Sequence, residues 1–234
     1  MPWINGDKWS DYLMTQKSLS KKQCMTLARN ICSVLVNLEE KKMAHCDISG
    51  ENLIFQWDPE RESYKIELID IEEIYGPGLS VPTALPAGSP GYSPEWVKNT
   101  GLWSEAADRF ATGILLPQIV AWQSEIVRET RYERTFFDPL EVGKECKRFK
   151  VLHDEVKKIN KKLSLLFSQV WFSTDISECP SLHEWQEALC EGSADQRFDP
   201  KIEADQCHNT KTYSEMASNG EFLKQVTQNR QAAW

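Results

Sequence analysis

The segment Met43–Phe55 reads MAHCDISGENLIF and sets His45, Cys46, Asp47 and Asn52 between a helical pattern and an apolar run. An ordinary turn satisfies its backbone with one or two polar side chains. This one carries more than a turn needs, so the reading of the fold starts from what it could hold in place.

Upstream, Ser20 with Gln23 three residues later forms a capping box, and Cys24, Leu27, Ala28, Ile31, Leu35 and Leu38 recur at helical spacing. That helix ends near the EEKK run at 39–42, where lysines suit the C-terminal dipole. Downstream, NLIF and KIELI are two short strand-like runs separated by the polar, Pro-containing QWDPERESY, which predicts a hairpin. Residues 72–94 are rich in Gly, Pro and Ser without periodicity, a long loop of the kind that usually carries function. Helical patterning returns at SEAADRFATGILLPQIVAW (104–122), apolar enough around Phe110, Ile114 and Leu115 to be buried, with a kink expected at Pro117. One helical stripe runs from 144 to 172 through Phe149, Leu152, Val156, Ile159, Leu163, Leu166, Phe167 and Val170. Ser181 and Glu184 cap a last helix, SLHEWQEALC. The opening MPWINGDKWSDYL reads as a short extended piece leading into a turn, punctuated by Pro2 and Gly6. Residues 191–234 are polar and weakly patterned, and read as a tail or docking peptide. The fold class expected is mainly α with one small β-hairpin.

The 234 residues suffice for one large domain or two small ones, with a proper core. A net charge of −8 argues against nucleic-acid binding. The one dense basic run, KKINKK at 157–162, reads as a solvated helix face. No apolar stretch is long enough to span a bilayer and no leader pattern is recognised, so no membrane association is expected. Seven irregularly spaced cysteines without a C-x-x-C pair read as reduced thiols, and the expected location is cytoplasmic.

The order is His-x-Asp, then Asn, a hairpin, Asp70 at the strand end and a Gly/Pro-rich loop. An amide oxygen and carboxylates gathered across a hairpin suit a hard, partly hydrated cation, and Mg²⁺ carried by a nucleotide is the usual guest. Asp47 stands where it could orient a hydroxyl and take its proton during phosphoryl transfer.

At this point the sequence resembles the C-terminal lobe of the protein kinase superfamily, in an atypical Ser/Thr form. HCDISGEN (45–52) is similar to the catalytic loop and LIDIEE (68–73) to the metal-binding segment. GSPGYSPEW (88–96) resembles the end of an activation segment spanning 74–95, and DRFATGILL (108–116) the buried central helix. MPWI resembles the hinge, placed at 1–6, and ECPSLHEW a segment near the domain end at about 190. The resemblance implies Asp47 as the catalytic Asp, and Asn52 and Asp70 as catalytic groups that also ligate Mg²⁺. It also implies Ile54 and Trp3 at the adenine of ATP, His45 propping the loop, and Asp108 bracing its backbone. The Gly-rich loop, strand Lys and helix Glu of the family are expected from an N-terminal lobe, in cis or in trans. A protein substrate or partner would meet the activation segment and residues 123–160.

Four features depart from the pattern: the missing roof just described, Cys46 in place of the Arg before the catalytic Asp, Ser49 in place of a Lys together with Glu72 in place of a Gly, and Cys179 in place of the Arg that pairs with Glu95. Without that first Arg, phosphorylation at Ser80, Thr83 or Ser89 is not expected to be the main switch, and Glu95 is expected to be solvated or met by another base. Three functions compete: a protein Ser/Thr kinase, a non-catalytic pseudokinase-like scaffold, and a small-molecule phosphotransferase. The last lacks a segment like GSPGYSPEW. The retained Asp47, Asn52 and Asp70 favour the first over the second.

Overall fold

A computed structural model describes residues 5–191, and the Trp3 expectation, the whole MPWI stretch of the hinge and the tail beyond 191 lie outside them. The long amphipathic helix forms as its cap predicts. In α2 (Lys21–Glu40) the Ser20 hydroxyl accepts from Gln23 N while the Gln23 side chain accepts from Ser20 N. Cys24, Leu27, Ala28, Ile31, Leu35 and Leu38 are all buried along one side. At 1.5 Å per residue they lie on the i, i+3, i+4, i+7 face that must find apolar partners. Those partners are α4 (Arg109–Ala121) and α8 (Leu182–Cys190).

The predicted hairpin is β2 (Leu53–Asp58) against β3 (Ser63–Leu68), antiparallel, with Leu53 opposite Leu68 and Ile54 opposite Glu67. Its alternation follows the pleat: Leu53, Phe55, Tyr64, Ile66 and Leu68 are buried against the helices. A third strand, β1 (Asp7–Lys8), pairs with β2, and the chain turns directly into α1 (Trp9–Thr15). The sequence reading expected an extended piece but not this helix. Trp9, Tyr12 and Leu13 are its buried face, and the Trp9 indole donates to Gln118 Oε1 inside α4.

The central helix is shorter than its pattern suggested. Residues 104–108 form turns, and α4 begins at Arg109 and runs unbroken through Pro117. Proline crowds the carbonyl four residues back, and here that residue is Gly113, which also lets Val170 of α7 (Lys161–Trp171) come close. A Cβ at 113 would lie 2.6 Å from Val170 Cγ2.

The stripe expected as one helix from 144 to 172 is two, α6 (Lys147–Ile159) and α7. The break is Asn160, at φ −154 and ψ 119, whose Oδ1 accepts from Lys162 N and Leu163 N while its Nδ2 donates to Ala188 O. Two short helices, α3 (Val97–Thr100) and α5 (Glu125–Thr130), complete the set among the described residues. No helix of the described residues is long and apolar enough to cross a membrane, and the six cysteines among them are unbridged.

Candidate active site

The loop from His45 to Asn52 joins the end of α2 to β2, and its shape is held from beneath by one carboxylate. Asp108, 3 % exposed at the start of α4, accepts from His45 N at 2.7 Å and from Cys46 N at 2.8 Å, one bond on each oxygen. Burial pushes the Asp108 carboxyl above its ordinary range, against the opposing pull of His45 and the two amide bonds. Cys46 sits in the left-handed region at φ 65, which few non-glycine residues adopt, with its N–H held by Asp108.

His45 is buried and joins this loop to the metal-segment candidate. Its Nε2 lies 2.8 Å from Ile69 O, and because a carbonyl can only accept, Nε2 carries the proton. Ile69 is the residue before Asp70. A second tie sits one residue upstream: Ala44 and Tyr75 exchange backbone bonds of 3.1 and 2.8 Å. The turn bearing Asp70 is thus fastened to the turn bearing Asp47 on both sides. A third link, Ile69 N to Asn52 O at 3.0 Å, extends the hairpin ladder by one step.

Asp47 is half-buried and both its oxygens are engaged. Oδ2 accepts from Asn52 Nδ2 at 2.8 Å, and Oδ1 accepts from the Ser89 hydroxyl at 2.6 Å. Asn52 Nδ2 also donates to Asp47 O at 3.0 Å. With its amide nitrogen committed twice, Asn52 has its oxygen left to offer to a ligand. Asp70 is exposed, in the left-handed region at φ 60 and ψ 56, and among the described residues its carboxylate has no hydrogen bond or ion pair. Asp47 and Asn52 therefore touch, whereas Asp70 joins them through the backbone.

The donor chemistry fits magnesium. One amide oxygen and one carboxylate are hard oxygen ligands, and Mg²⁺ commonly keeps waters and takes its remaining ligands from phosphate. No cluster of three His, Cys, Asp or Glu among the described residues offers an all-protein cage.

Ile54, half-buried, lies on the face of the sheet turned away from the core, level with Lys8 on one side and Glu67 on the other. Residue 6 passes so close above it that a Cβ there would come within 2.5 Å of Ile54 Cγ2, which is why glycine stands at that position.

Sequence reasoning had Ser89 only as a modification candidate, and the structure makes it a partner of Asp47. The G-S-P-G-Y spelling was the available signal, since a hydroxyl between two glycines at positive φ (Gly88, 69; Gly91, 82) sits on a tightly specified turn. Tyr92 then buries its ring against Gly50, where a Cβ would be 2.9 Å from the phenolic oxygen. The tie between the end of the 88–96 stretch and residues 173–179 was also missed. Glu95 is exposed and Cys179 is buried with its thiol 3.4 Å from Ser173 Oγ. Trp96 Nε1 donates to Ser173 O at 3.0 Å, so an indole makes the connection.

Comparison with known proteins accords with this geometry. The protein kinase domain model matches residues 1–187. A probable myosin light chain kinase of Dictyostelium discoideum is 24% identical over 115 residues, covering 49% of this chain and 32% of that protein. The chain therefore spans about a third of the relative's length.

Proposed function

We propose, for a chain that belongs to the protein kinase domain family, that it forms the C-terminal lobe of an atypical protein kinase and transfers the γ-phosphoryl group of ATP to a Ser or Thr hydroxyl of a protein. The observation that carries this reading is the hydrogen-bonded trio Asn52–Asp47–Ser89, fastened through His45 and the Ala44–Tyr75 bridge to the turn that presents Asp70. Bound Mg²⁺–ATP would supply the phosphoryl group and neutralise its developing charge. The residues then divide the work. Asn52 Oδ1 and the Asp70 carboxylate hold the ion, Ile54 underlies the base, and Asp47 accepts the hydrogen bond of the incoming hydroxyl and takes its proton. Ser89 orients Asp47 and yields part of its bond when substrate arrives. Asp108 and His45 keep the loop in shape.

An N-terminal lobe, in cis or in trans, supplies the roof of the nucleotide site, and the protein substrate lies along residues 74–95 and 123–160. Positioning does nearly all the catalytic work in phosphoryl transfer, so the chain alone should be weak or inactive.

The scaffold reading draws on two observations: both Asp47 oxygens are already engaged, and Cys46 and Ser49 replace two cations of the family. The two readings separate in the protein completed with an N-terminal lobe. Mg²⁺ plus ATP should raise its melting temperature by mass action, and phosphate should pass to a protein substrate. Asp47→Asn should lower transfer by at least about 10²-fold with the thermal shift kept, and Asp70→Asn should remove the Mg²⁺-dependent part of the shift. A completed protein with neither shift nor transfer would establish the scaffold.

A further inference from the structure

The turn that delivers Ser89 to Asp47 is also the wall of a groove of about 290 Å³. Pro90 lines one side, and Pro139, Leu140 and Val142 of the loop before α6 line the other. Leu140 is 76% exposed there, an apolar side chain held at the rim with nothing packed over most of it. Three charged residues line the same groove: Lys98, Lys144 and Glu95. Both lysines are exposed, and neither has a carboxylate partner among the described residues. Of the acids in the facing loop, Asp138 accepts from Leu140 N at 2.9 Å, Glu141 makes two bonds of 2.7 and 2.8 Å to Arg148, and Glu145 meets Lys150 at 3.3 Å.

The end of the loop that carries Asp47 shows a similar balance outside the groove. Glu51, immediately before Asn52, has Lys8 Nζ 3.4 Å from one oxygen and Arg134 Nη1 3.4 Å from the other. A basic side chain approaching that acid would meet two cations for one anion. Among the side chains that line the groove, lysines therefore outnumber carboxylates two to one, on a chain whose net charge is −8. This is a local reversal of sign along the groove whose wall is the turn that carries Ser89.

We infer that the groove selects an acidic peptide: a protein segment in which Asp or Glu, beside an apolar residue, follows the hydroxyl-bearing residue set at Asp47. The apolar neighbour packs on Pro139, Leu140 and Val142, and the carboxylate lies between Lys98 and Lys144. This rests on the phosphotransfer reading for the place of the hydroxyl, but the groove and its charges stand without it. Exposed charges contribute modestly each and act mainly on selectivity and encounter rate.

The test is fluorescence anisotropy of labelled ~12-residue peptides on the full chain, each with one central Ser followed by Leu and then Glu, Ala or Arg. The Glu peptide should bind about tenfold tighter than the Ala peptide and tighter still than the Arg peptide. The gap should shrink as salt rises from about 50 to about 500 mM. Lys98→Glu with Lys144→Glu should invert the order without changing the melting temperature, since both side chains are exposed. Lys157→Glu with Lys161→Glu, an equal charge change at the α6–α7 junction, should leave the order intact. An Arg peptide that binds as well as the Glu peptide, no binding of any peptide, or an order that survives the Lys98/Lys144 change would overturn the inference. Acidic-peptide binding by a completed protein that neither binds Mg²⁺–ATP nor transfers phosphate would leave the groove standing and remove the kinase reading. Transfer without acidic preference would do the opposite.

Discussion

Asp108 shows most clearly how one side chain can carry a loop. Its two oxygens hold two consecutive backbone N–H groups, from His45 and Cys46, in a place where water cannot substitute. Asp108→Ala would leave both donors buried and unpaired, at about 1–3 kcal/mol each. We expect a loss of about 2–5 kcal/mol in urea unfolding. Asp108→Asn keeps an acceptor for one donor, so it should lose clearly less. Asp108 was legible from the sequence as the opening residue of a buried helical run, but only through likeness to a known pattern. Ser89 was legible as a hydroxyl in a glycine-framed turn, and nothing local could say that its partner is 42 residues away. The missing Arg at position 46 has a similar lesson. What the residue type showed was a lost charge, whereas the left-handed backbone of Cys46, with its N–H held by Asp108, is seen only in the fold.

At the scale of elements, the capped helices were readable because their signals are local. Ser20–Gln23 and Ser181–Glu184 each close within one turn, and both boxes form. The division of residues 144–172 was not readable, because the apolar stripe continues across Asn160 with little change of phase. What decides it is a partner on another helix: Asn160 Nδ2 reaches Ala188 O while its oxygen caps α7. Asn160→Ala should lose both, lowering stability by about 1–3 kcal/mol by the usual values for a cap and a buried hydrogen bond, and circular dichroism with thermal melting will measure it. The seam between α4 and α7 is equally exacting. Gly113→Ala adds a methyl 2.6 and 2.8 Å from the Val170 methyls, so the helices must part or the side chain must rotate. Overpacking of this kind costs about 1–3 kcal/mol. Gly113→Ala combined with Val170→Ala should recover part of the loss, and full additivity of the two changes would show that the contact is not the cause.

For the whole molecule, the main core runs from α1 to α8 and buries the thiols of Cys24, Cys32 and Cys179 with it. Desolvation pushes Cys179 up to about 11 and Cys24 up to about 12, and raises Cys32 as well. The sign of the pH effect follows. Above about pH 9 the unfolded chain releases thiol protons that the folded chain keeps, so fewer protons are bound in the unfolded state and stability falls as pH rises. The contribution is intact below pH 9 and is lost through about 11 for Cys179 and about 12 for Cys24. Melting temperatures between pH 8.5 and 10.5 should therefore decline, with a shallower slope in Cys179→Ala. Native Cys179 should also resist iodoacetamide at pH 8, while the half-exposed Cys146 and Cys190 react before it. By itself the sequence determined the amphipathic helices, their caps, the hairpin and the order of the polar segments, because each depends on neighbours within a turn or a strand pair. Tertiary structure alone decided that Ser89 and Asn52 share Asp47, that Asn160 divides a helix, and that lysines from two distant segments line one groove. Those outcomes depend on side chains brought together only when the core closes, and chain spacing carries no record of them.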